Sequence, residues 1–185
     1  MDARRRAILQ RGMLGLLAFQ VGGGVAVLTP RAARAAQLPM RVLDATQVRT
    51  LEALGDTLLP GAAEAGLAAY LDHQLAADPA ESLLMIRYLD VPPPHAPFYA
   101  AGLAAVEAAA QKLHGRPFAA LEPATRDAFV GLMQRGALEG WQGPPAPFVY
   151  FVLRSDAVDV VYGTVEGFEK LGLPYMPHIP PTEKW

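Results

Sequence analysis

The chain has 185 residues, 52% of them hydrophobic, no cysteine, and 16 Lys+Arg against 18 Asp+Glu. The missing cysteines exclude disulfides, thiolate metal sites, iron-sulfur clusters and covalently attached c-type haem. The acidic balance gives no basic footprint for nucleic acid, and it disfavours adsorption to anionic lipid.

The positive charge that exists is concentrated at the start. Arg4, Arg5, Arg6, Arg11, Arg31 and Arg34 precede Ala36 with only Asp2 against them, so residues 36–185 carry 10 basic and 17 acidic groups, a net −7. A basic cluster, an apolar run from Gly12 to Leu28 broken by Gln20 and four glycines, and Ala33 and Ala35 in an A-x-A arrangement make the three-part grammar of an export signal cleaved before Ala36. The run is too short and too glycine-rich for a stable membrane span. Pro30 stops any helix that reaches it. Arg5-Arg6-Ala7-Ile8-Leu9 resembles the twin-arginine signal, in which two arginines and, after one residue, two apolar side chains (here Ile8 and Leu9) address a folded protein for export. Residues 1–35 therefore read as a twin-arginine-type signal segment, and the 150 residues that follow suffice for one domain with its own core.

The elements of that domain read as helices. Asp44 with Gln47 three residues on is a capping pair, and Val48, Leu51, Leu54, Gly55 and Leu58 recur at helical spacing until Pro60-Gly61. Leu67, Tyr70, Leu71 and Leu75 mark a second helix ending at Asp78-Pro79, and Ala80–Leu89 reads as a short third. Four prolines among the eight residues Asp90–Pro97 make a stiff connection. Phe98–Leu113 is an alanine-rich helix closed by His114-Gly115; Glu122-Pro123 fits a cap and first-turn proline before Phe129, Leu132 and Met133. No segment alternates cleanly with period two, so the expected fold is all-α: a small helical bundle over residues 36–163 with a Pro-rich connection.

The last helix, in "PFVYFVLRSDAVDVVYG", is apolar around its whole circumference. Such a helix must be covered all round, either by its neighbours in the bundle or, on one side, by a partner protein. Residues 164–185 form an extended C-terminal tail too rich in aromatic groups for a solvated one, which expects a surface to lie on. Tyr150, Arg154, Tyr162, Phe168, Tyr175, His178 and Trp185 are the expected interface residues. Arg154 has a local alternative in Asp156. No catalytic, cofactor-binding or metal-binding set emerges: the four histidines lack helical metal spacing, no G-x-G-x-x-G or G-x-S-x-G occurs after the signal, and Glu64, Asp72 and His73 do not share a helix face.

Leu59-Pro60-Gly61 with Ala65-Gly66 and Tyr70-Leu71, Phe98-Tyr99-x-x-Gly102, and Tyr162-Gly163 followed by Gly167-Phe168 and Leu171-Gly172 together resemble the gluconate 2-dehydrogenase subunit 3 (small subunit) family. Thr164 and Val165 stand where many members have glycine and asparagine, which places the chain in a divergent branch. The resemblance implies an accessory subunit bound to a large FAD-containing flavoprotein of the glucose-methanol-choline class, with haem c in a cytochrome subunit as electron acceptor. It also implies that the small subunit's leader exports the pair to the periplasm or the outer face of the cytoplasmic membrane. The reading that competes with it is a stand-alone exported bundle that binds a small ligand between helices.

Overall fold

A computed structural model describes residues 17–21 and 24–174; Arg5, Arg6, Ile8, Leu9, Tyr175, His178 and Trp185 lie outside them. The described chain is mostly helical, as the periodicity predicts. Two strands, β1 (Leu17–Val21) and β2 (Gly24–Leu28), pair antiparallel with Leu17 opposite Leu28 and Val21 opposite Gly24. They correct the expectation of no strand: every position but Gln20 is apolar or glycine, so no polar alternation announces the pairing.

Helix α1 (Pro30–Ala35) follows at once. Pro30 starts this helix at its first position, where a missing N–H costs nothing, and the Thr29 hydroxyl accepts the Ala32 N–H at 3.1 Å. Helix α2 (Ala45–Leu58) opens on the expected capping box, with Asp44 accepting from Thr46 and Gln47 and the Gln47 side chain accepting from Asp44 N–H. Gly61 and Gly66, with φ of 91° and 92°, then reverse the chain on either side of the one-turn α3 (Ala62–Ala65) before α4 (Leu67–Ala76).

The predicted helix over Ala80–Leu89 reduces to a 3-10 turn at Met85–Tyr88. Its amides are taken by distant side chains: Leu83 N–H donates to Gln74 Oε1 at 2.8 Å and Met85 N–H to Asp156 Oδ1 at 2.9 Å, in place of helical carbonyls. Helix α5 (Ala96–His114) begins inside the Pro-rich connection with Pro97 in its first turn and ends at Gly115. A second 3-10 turn (Phe118–Ala120) leads to α6 (Pro123–Arg135), where Pro123 fills the first position but Glu122 makes no side-chain cap. Helix α7 (Ala146–Tyr162) runs through the bundle, and α8 (Val165–Lys170) forms the head of the C-terminal segment.

One apolar core joins these elements. Leu51, Leu54, Leu71, Leu103, Met133 and Leu153 are buried in it, and the Phe118 and Phe129 rings meet edge-on at 5.2 Å. Among the described residues no helix is long and apolar enough to cross a membrane.

Candidate functional site

Helix α7 is covered by the bundle on one side and left open along the other. Val149, Val152, Leu153, Asp156, Ala157 and Val160 are buried, and α2, α3, α4, α5, α6 and α8 all pack against the helix. The other edge stays open: Phe151 is 48% exposed, Arg154 and Asp159 are exposed, and Ser155, Val158 and Tyr162 are half-buried. These positions recur at three- and four-residue intervals, so they form one strip along the helix. Tyr150 is half-buried against the core, and Phe168 of α8 is half-buried too.

Asp156 does not pair with Arg154. Its side chain is fully buried, with Oδ1 accepting the Met85 N–H and Oδ2 accepting the Tyr99 hydroxyl at 2.7 Å. Burial pushes its carboxyl up to about 7, and the two donated hydrogen bonds oppose that rise. The Tyr99 and Tyr70 hydroxyls are held above their ordinary range by burial and then by the Asp156 charge, and partial desolvation of its carboxyl group raises Asp159. Sequence reasoning missed this centre, although Asp156 shares a stripe with Leu153, Ala157 and Val160.

At the far end of α7 lies a cleft of about 520 Å³ whose walls include Thr29, Arg31, Gly61, Glu64, Tyr162 and Lys170. Arg31 bridges it, with Nη1 2.9 Å from Glu166 and Nη2 3.7 Å from Glu64, while Lys170 stands 3.5 Å from Glu166. Among the described residues, Tyr162 is thus the predicted interface residue that both borders this cleft and continues the open strip.

Glu64, Asp72 and His73 do not form a reaction centre. Asp72 is buried and accepts the backbone N–H groups of Arg41, Val42 and Leu43 at 2.8–3.0 Å, which pins the segment before α2. His73 turns Nε2 to the Ala18 carbonyl at 3.1 Å and its ring to Phe19, and burial lowers its pKa. Glu64 faces solvent beside Arg31. Among the described residues no cluster of three His, Asp or Glu stands ready for a metal ion.

The motifs that carried the resemblance converge on α7. Phe98 meets the Phe148 ring at 5.4 Å, Tyr99 bonds Asp156, and a Cβ on Gly102 would lie 3.0 Å from Val149 Cγ1. Gly167 lets α8 rest on the end of α7, since a Cβ there would sit 2.4 Å from the Val161 carbonyl oxygen. Residues 45–180 match the family described as gluconate 2-dehydrogenase subunit 3. The chain belongs to this family. The Thr164 hydroxyl caps α8 by accepting the Gly167 N–H at 3.0 Å. No curated protein and no solved structure matches the chain.

Proposed function

We propose that this chain is a non-catalytic small subunit of an exported, FAD-dependent dehydrogenase of a sugar, sugar acid or alcohol. It binds and stabilises a large flavoprotein of the glucose-methanol-choline class and supplies the twin-arginine signal for both. The FAD belongs to that partner, and haem c to a cytochrome subunit that takes the electrons. The complex works in the periplasm or at the outer face of the cytoplasmic membrane.

Membership of a family named for one subunit of a dehydrogenase carries the reading. Two observations support it: the open strip with Phe151, Arg154, Val158 and Tyr162 on a helix whose other side is enclosed, and the engagement of the buried carboxyl groups Asp72 and Asp156 by backbone N–H groups. Aromatic and arginine side chains on such a strip are what interface centres favour. The reading as a ligand-binding bundle draws on the cleft, but Arg31, Glu64, Glu166 and Lys170 in its lining already pair with one another.

The test is affinity purification of the tagged chain from its native cell envelope, with mass identification and a flavin spectrum. The expected result is a stoichiometric flavoprotein, and Arg5→Lys with Arg6→Lys then strands both proteins in the cytoplasm. A chain that emerges alone and colourless under conditions that preserve complexes overturns the proposal.

A further inference from the structure

Of the two residues expected to direct signal cleavage, Ala33 is built into the folded body while Ala35 is exposed at the end of its helix. Ala33 is 1% exposed on the inner face of α1, and Pro30 is buried. The Ala35–Ala36 bond sits where α1 closes on itself: Ala36 N–H donates to the Ala32 carbonyl at 2.9 Å, Gln37 N–H to Arg34 at 2.9 Å and Leu38 N–H to Ala33 at 3.2 Å. Gln37, at φ 51°, takes the left-handed position of a Schellman ending. The backbone groups on both sides of that bond are therefore already engaged.

Four other elements hold this helix. A Cβ on Gly66, between α3 and α4, would lie 2.3 Å from the Pro30 carbonyl group, so the two backbones touch where only glycine fits. Arg34 Nε stands 2.9 Å from Glu52 on α2, and Arg31 reaches Glu64 on α3 and Glu166 on α8. Removing residues 1–35 would leave these three glutamates without their arginines and expose the Gly66 surface. The family match begins only at Ala45, so α1 lies outside the span that defines the family while packing on its elements.

We infer that α1 is a permanent element of the folded subunit and that the exported chain keeps residues 29–36 joined, rather than being cut between Ala35 and Ala36. The inference rests on the twin-arginine reading, since a protein exported by that route folds before it meets a signal peptidase. A protease takes an extended, accessible segment, so cleavage follows the population in which α1 has come away from the bundle. In an exporter that threads unfolded chains, the same A-x-A would be cut before α1 could dock.

The test is the mass and N-terminal peptide map of the full chain recovered from the envelope, with its side of the membrane fixed by protease access to intact and opened cells. The expected result is an exported chain that still contains Pro30–Ala35 joined to Ala36. An exported chain beginning at Ala36 overturns the inference and leaves the export reading standing. A chain confined to the cytoplasm overturns both. Gly66→Ala, which pushes against the Pro30 backbone yet keeps Ala33 and Ala35, should convert the exported pool toward a new N-terminus at Ala36. If it accumulates no folded protein by circular dichroism, the wild-type N-terminus alone decides.

Discussion

Asp156→Asn changes the least structure for the largest expected effect. The carboxyl rises from 3.8 to about 7 because it is almost wholly buried. Its folded pKa exceeds its unfolded one, so the folded state holds the proton more tightly, and stability is lost as pH climbs from about 4 to about 7. At about 1.4 kcal/mol per pH unit, a window of three units corresponds to about 4 kcal/mol at most, an order-of-magnitude figure. Asparagine is close in shape to the protonated acid: its oxygen accepts the Met85 N–H and its amide donates to the Tyr99 oxygen. The variant should match the wild type within about 1 kcal/mol near about pH 4 and exceed it by about 2–4 kcal/mol near about pH 8, about 4–16 °C in Tm. His73 acts in the opposite sense, because its lowered pKa favours the folded state above the imidazole range and costs stability as pH falls. It is common to both proteins and cancels in the difference. Urea denaturation followed by far-ultraviolet circular dichroism across this range reads the result. Parallel stability curves for the two proteins would refute the reasoning, since the buried carboxyl would then not be taking up the proton.

Asp72→Ala leaves three backbone donors at Arg41–Leu43 without their acceptor and should cost about 3 kcal/mol or more, with Asp72→Asn recovering part of it; thermal denaturation of the three proteins checks the order. Gly167→Ala forces a methyl against the Val161 and Tyr162 backbone, which cannot rotate away, so α8 should detach and its amides exchange faster while those of α2 and α7 hold. Phe151→Ala should change stability by no more than about 0.5 kcal/mol, because the ring is half in water, while weakening flavoprotein capture about tenfold or more in a titration of the partner. Equal capture by both would remove the α7 strip from the interface.

What the sequence makes legible is what neighbours in the chain decide. The capping box at Asp44 and Gln47 and Gly115 at the end of α5 need only residues within a turn, and their positions are read correctly. Ala80–Leu89 fails for the opposite reason: its conformation depends on acceptors 9 and 71 residues away, which no local pattern contains. The same distance hides Asp156, whose bond to Tyr99 spans 57 residues, so the acid reads as a local partner for Arg154. The outward face of α7 with Arg154, and the place of Tyr162 beside the cleft, are hidden too, because a helix apolar around its circumference assigns no face and only the packing of its neighbours does.

Helix α7 shows why a sequence apolar all round need not choose between core and interface. A helix packed by six others still has one strip that the bundle does not reach, and among the described residues no element covers it. Exposing Phe151 and half of Tyr162 there works against solubility unless another protein takes them up, whereas Asp156 on the inner side adds a polar requirement that only the Tyr99–Met85 arrangement meets. The inner requirement fixes the rotation of α7 about its axis, because turning the helix by one residue would bury Arg154 or expose the carboxylate. That rotation in turn decides which residues face outward. A substitution at Tyr99 that loosens the inner bond, such as Tyr99→Phe, should therefore weaken partner capture as well as stability, although Tyr99 is 1% exposed and touches no partner. Capture that falls only in proportion to the folded fraction would show that the strip keeps its orientation without the bond.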